Sequence, residues 1–110
     1  MSAELLDSRD VDHDRFAECD PNRELVFIHC PRCRHLMAWC RECDTLFPDL
    51  SHPEISMPVT MLDSKRDRIP CGGCRQPFED FFFLRRPAIG KYLVTRAEIV
   101  AAGYGHLLAT

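Results

Sequence analysis

The chain has 110 residues, 45% of them apolar, a size that fits one domain with extensions and gives no reason to expect a second core. Its longest apolar runs, residues 25–28 and 81–84, are far too short to cross a bilayer, and the opening MSAELLDSRD lacks the basic start and apolar centre of a secretory leader; no membrane contact and a cytoplasmic location are expected. The formal charge of −3 is unevenly spread, with eight acids against three bases in residues 1–24 and nine against eleven in the remainder, a basic excess too small to read as a nucleic-acid footprint.

In chain order, residues 1–23 form an acidic segment expected to be solvated and mobile, with Leu5, Leu6, Val11 and Phe16 as the side chains able to anchor a short helix. After the Pro21-Asn22 break, residues 24–29 are rich in β-branched and aromatic side chains and read as a strand running into Cys30-Pro31-Arg32-Cys33. Residues 34–39 hold no turn former and read as extended, leading to Cys40-Arg41-Glu42-Cys43; the Pro and Asp/Ser clusters of residues 47–54 mark an irregular loop. A short strand is expected at residues 58–62, a solvated turn at 63–68, and a further strand after Cys71-Gly72-Gly73-Cys74, with Phe81, Phe82 and Phe83 mainly in the core. Thr95 and Glu98 have capping-box spacing and Gly103 suits a helix C-terminus, which predicts a helix over residues 95–102 and a last turn beyond Tyr104. The fold class is small α+β, divided into the segment 1–23, a metal-binding unit 24–86 and a helical segment 87–110.

Six of the seven cysteines lie in CxxC pairs, and thiols in a reducing compartment stay free, so metal is a better reading than disulfides. Zinc takes four soft donors at tetrahedral corners, and each CxxC turn supplies two. The candidate ligands are Cys30, Cys33, Cys40, Cys43, Cys71 and Cys74. If residues 34–39 are extended at about 3.3 Å per residue, the first two pairs stand roughly 20 Å apart and do not share an ion. Cys30, Cys33, Cys71 and Cys74 then form the preferred site, and a hairpin joining Cys30, Cys33, Cys40 and Cys43 is the alternative. The remaining pair would draw on His52 first, or on His35, His29, His13, Cys19 or a second subunit.

The knuckles Cys30-Pro31-Arg32-Cys33 and Cys71-Gly72-Gly73-Cys74, each preceded by an apolar strand, resemble those of the zinc-ribbon superfamily over about residues 25–84. That resemblance implies rubredoxin-like knuckles with zinc at the tip of a β-hairpin sheet. The additional Cys40/Cys43 pair and the lack of a Gly after each knuckle depart from the commonest pattern.

A closed four-thiolate site has no position for a catalytic water, and Cys71-Gly72-Gly73-Cys74 is followed by Pro77 rather than by the helix that activates redox dithiols; thiol redox chemistry ranks third. The expected function is a non-catalytic zinc-binding adaptor presenting its surface to another protein, with Trp39, Phe47, Tyr92 and Tyr104 as candidate anchors and a homodimer as one form of partner. The alternative is nucleic-acid binding through Arg32, Arg34, Arg41, Arg75, Arg85 and Arg86, which cluster around the knuckles in sequence.

Overall fold

Four short strands build the centre of the molecule: β1 (Leu25–His29), β2 (Leu36–Cys40), β3 (Thr45–Phe47) and β4 (Met57–Pro58). The computed structural model describes residues 5–16, 24–42, 45–58, 71–75, 84 and 88–109. The strands pair antiparallel in the order β1-β2-β3-β4, with Leu25 opposite Cys40 and His29 opposite Leu36 in the first hairpin. The fold class is α+β, as expected. The strand β3, in a stretch the sequence leaves unassigned up to the loop, is a three-residue Thr-Leu-Phe run held by pairing on both sides rather than by its own length. Of the strand expected over 58–62, β4 supplies the start; residues 59–62 and Phe81, Phe82 and Phe83 lie outside the described residues.

Successive side chains of a strand point to opposite faces, and here both faces are covered, which is why β1 reads as a continuous apolar run. Leu25, Phe27, Leu36, Ala38, Cys40 and Phe47 pack on one face with Val94, Ile99 and Leu107. Val26, Ile28, Cys30, Met37 and Leu46 pack on the other with Cys71 and Leu84.

Of the N-terminal segment, the described residues 5–16 depart from the solvated state expected of it. Leu6, Val11 and Phe16 are at most 7% exposed and belong to the first-face core, where the Phe16 ring meets Phe47 edge-on at 5.1 Å and Phe27 at 6.4 Å. Its acids serve the backbone: Asp7 and Asp10 form a reciprocal cap around the 3₁₀ turn Ser8–Asp10, and Asp12 caps the turn His13–Arg15. Backbone bridges bind this segment to the C-terminal one, Leu6 N–H donating to Val94 C=O at 2.8 Å, Asp12 N–H to Leu107 C=O at 2.9 Å and Ala109 N–H to Asp10 C=O at 2.8 Å. Residues 5–16 and 94–109 thus close one face together.

Helix α1 (Arg96–Ala101) starts where the sequence places it. Thr95 accepts from Glu98 N–H, Glu98 returns a bond to Thr95 N–H, and the helix ends with Gly103 N–H on Val100 C=O and Tyr104 N–H on Ile99 C=O. The left-handed φ of +89° at Gly103 makes that double closure, and glycine adopts it without a Cβ clash. The other oxygen of Glu98 meets Nε2 of His29, the buried polar residue of β1, at 2.5 Å. Partial burial raises the Glu98 carboxyl pKa, but Thr95 N–H, the His29 imidazole and the Thr95 hydroxyl outweigh it, and the group lies below its ordinary 4.5.

Two outcomes follow for stability. Phe16→Ala should cost about 3 kcal/mol or more in urea unfolding of the metal-loaded protein, the loss of a packed ring rather than the near-zero change of a solvated one. Glu98→Gln keeps the cap acceptor and loses the charged bond to His29, at about 1 kcal/mol, since solvent still reaches a third of the carboxylate. Because the folded carboxyl has the lower pKa, its contribution is full above about pH 4.5 and is lost as pH falls through the folded value; the gap between wild type and Glu98→Gln should close on acidification.

Candidate metal centre

The turn between β1 and β2 is the first knuckle. Cys30 continues β1, its N–H donating to His35 C=O at 2.8 Å, while Arg34 N–H closes back on Cys30 C=O at 2.9 Å. The second knuckle repeats this closure, with Arg75 N–H on Cys71 C=O at 3.0 Å and Gly73 N–H directed at Cys71 Sγ at 3.3 Å. Both loops place the residue after the second cysteine in the left-handed region, Arg34 at φ +64° and Arg75 at φ +59°. Glycine takes that conformation freely, whereas a side chain costs about 1–2 kcal/mol. Residues 34–39 are accordingly extended only from Leu36 onward.

The second knuckle is seated against the first by its glycines. Gly72 N–H donates to Pro48 C=O at 3.1 Å, and a Cβ on Gly72 would stand 2.6 Å from Asp49 Cβ. A Cβ on Gly73 would stand 2.6 Å from His35 Cβ. Close approach, not backbone conformation, demands these two glycines. The buried His35 Nε2 makes no hydrogen bond and lies 3.4 Å from Asp49 Oδ1, an electrostatic contact within the same seam.

The result is a cluster in which the sulfurs of Cys30, Cys33, Cys71 and Cys74 all lie within 4.8 Å of one another, with Cys33 and Cys71 at 3.5 Å. Four sulfurs about 2.3 Å from one tetrahedral ion stand about 3.8 Å apart, so the spread suits a single metal. The first cysteine of each knuckle is buried in the second-face core, Cys30 at 0% and Cys71 at 1% exposure; Cys33 is exposed and Cys74 intermediate. Burial pushes the Cys30 thiol up, but the N–H groups of Cys33 and Arg32 and the thiols of Cys71 and Cys33 outweigh it and bring its pKa to about 7. Burial pushes Cys71 up too; the N–H groups of Cys74 and Gly73 oppose this, the thiols of Cys33 and Cys30 reinforce it, and it rises to about 12. Of the two buried thiols, Cys30 gives up its proton the more readily, and ionising Cys71 beside it calls for a cation. Four soft sulfur donors, two of them buried, fit zinc.

Among the described residues, the other sequence candidates stand outside the four-thiol group. Cys40 shares a face with Leu25, its partner across the ladder, while Cys30 faces the opposite side from the other end of β1; this removes Cys40 from the cluster and with it the compact grouping with Cys30 and Cys33. Buried and free, Cys40 packs as a small apolar side chain. His52 is exposed and contacts Glu54 at 3.2 Å, apart from the thiols. His13 accepts from Leu25 N–H at 3.1 Å, and His29 is engaged by Glu98. Cys19 and Cys43 lie outside the described residues. The seating residues Pro48, Asp49 and His35 carry no sequence signal, although paired glycines inside a knuckle hint at close approach.

No protein-family model matches the chain, and neither a curated protein nor a solved structure matches it significantly.

The arrangement separates the cysteines experimentally. Cys71→Ser and Cys30→Ser should abolish the same thiolate-to-cobalt absorption band in cobalt-substituted protein, whereas Cys40→Ser should retain the band and lose about 1–2 kcal/mol of stability from a hydroxyl placed in an apolar core.

Proposed function

We propose that the chain is a zinc-ribbon-type module in which Cys30, Cys33, Cys71 and Cys74 hold one structural zinc ion, and that it works as a non-catalytic adaptor binding another protein. The observation that carries the metal reading is the convergence of four thiols from two knuckles of the same backbone conformation. Four protein donors fill a tetrahedral ion, which supports a structural rather than a catalytic role. Bound zinc would supply folding free energy on the order of 10 kcal/mol, joining two chain segments 38 residues apart in sequence.

The adaptor reading is supported by the distribution of surface charge. Arg41 is paired with Glu24 at 2.7 Å, Arg96 with Asp10 at 3.5 Å and Arg34 with Glu98 at 3.7 Å, so several cations are answered within the chain. Leu5, Ile55 and Val100 are each at least half exposed, and Trp39, Tyr92 and Tyr104 are partly buried. Phe47 drops out as an anchor because it is fully buried under Phe16. The exposed Arg32, Arg34 and Arg75 beside the thiol cluster favour nucleic-acid binding as the second reading.

Native mass spectrometry should find zinc on the purified chain, and chelation should unfold it; a folded, metal-free chain would overturn the metal reading. Fluorescence anisotropy should give dissociation constants of roughly 10⁻⁴ M or weaker for generic DNA and RNA near physiological salt. Submicromolar binding lost on changing Arg32, Arg34 and Arg75 together to Ala would replace the adaptor with the second reading.

A further inference from the structure

The two residues that follow the knuckles pose a physical problem. Arg34 and Arg75 occupy equivalent positions, both left-handed, and both close their loops by a backbone N–H that glycine would supply without strain. Neither belongs to the core, and both are exposed, Arg34 with 75% of its side chain in solvent. Packing therefore does not repay the strained backbone, and the return must come from the guanidinium charge. A sink for that charge lies beside them. Four thiolates around a divalent ion make a doubly negative centre, with two of its sulfurs in an apolar core where no water answers the charge.

We infer that Arg34 and Arg75 are the counter-charges of the tetrathiolate metal centre, one carried by each knuckle at the position next to its outer cysteine. This rests on the zinc reading above and assigns the two side chains a positioning role in metal retention, through charge rather than contact. Arginine serves because its charge is permanent and its guanidinium is weakly hydrated. The contributions are unequal: Arg34 lies 3.7 Å from Glu98, whose charge offsets part of its own, while Arg75 has no acidic partner among the described residues. Arg75 is the stronger of the two.

The test holds the strain constant and varies the charge. Zinc affinity is measured by competition with a colorimetric chelator for the wild type, the Arg34→Lys/Arg75→Lys protein, the Arg34→Gln/Arg75→Gln protein and the single Arg75→Gln and Arg34→Gln proteins, at low and at 1 M salt. Each substituted side chain suffers the same left-handed penalty, so differences report charge. The Lys protein should hold zinc as the wild type does, and the Gln protein about tenfold more weakly at low salt, with the gap narrowing at 1 M salt. Arg75→Gln should account for more of the loss than Arg34→Gln, and that single variant decides the matter if the double Gln protein does not fold in saturating zinc. Equal affinities for Lys and Gln proteins at low salt would overturn the inference while leaving the zinc reading intact; a wild type that binds no zinc would overturn the zinc reading itself. Equal zinc retention together with loss of DNA or RNA binding in the Gln protein would also overturn it, by assigning the arginines to a nucleic-acid surface.

Discussion

Two sulfur atoms buried in an apolar core set the terms for the rest of this structure. Cys30 and Cys71 are as inaccessible as the aliphatic side chains around them, yet each belongs to a four-thiol cluster suited to a cation. The two diverge on either side of the ordinary thiol range, Cys30 lowered by N–H groups and neighbouring thiols and Cys71 raised by burial, so ionising both calls for a cation. With one, the second-face core would gain a metal-mediated tie between β1 and a segment far along the chain.

The two faces of the sheet are closed by different means. On the first, the N-terminal and C-terminal segments cross-link through backbone bridges and lay Leu6, Phe16, Val94 and Ile99 over β1 to β3. On the second, the knuckle at Cys71 and the side chains of Leu84, Ile89 and Leu93 do the work. His29 joins the two systems: its ring reaches Glu98 in the first turn of α1, its N–H donates to Tyr92 C=O, and its neighbour in sequence is Cys30. A change in the position of α1 is therefore felt one residue from the thiol cluster.

Much of this was legible in the sequence where a local rule had a local cause. The strand at Leu25 to His29, the capping box of Thr95 and Glu98 and the glycine closure at Gly103 depend on neighbours only, and the structure has all three. The N-terminal segment shows the opposite case. Its acids resemble a solvating tail by composition, but Asp7, Asp10 and Asp12 cap turns, and Leu6, Val11 and Phe16 are spaced to meet a sheet that the sequence does not display as a surface. The seating of Gly72 on Pro48 and of Gly73 on His35 is equally long-range, and no spacing rule announces it.

The division of labour between Cys30 and Cys40 shows how much one register decides. Both are free, both buried, and each opens a CxxC pair in the sequence. In a hairpin turning through the first knuckle, Leu25 is the partner of Cys40, and partners across an antiparallel ladder share a face. Cys30 has the parity of Val26 and Ile28 and so the other face; it also lies at the opposite end of the strand. A shift of one residue in β2 would exchange the two faces, carrying Cys40 out of the first-face core and bringing Trp39 or Arg41 opposite Leu25 in its place. What forbids the shift is the knuckle itself: the bonds of Arg34 N–H to Cys30 C=O and of Cys30 N–H to His35 C=O fix the turn length, and the turn length fixes every pair beyond it. The same closure that presents Cys30 and Cys33 to a metal thus assigns Cys40 to the core.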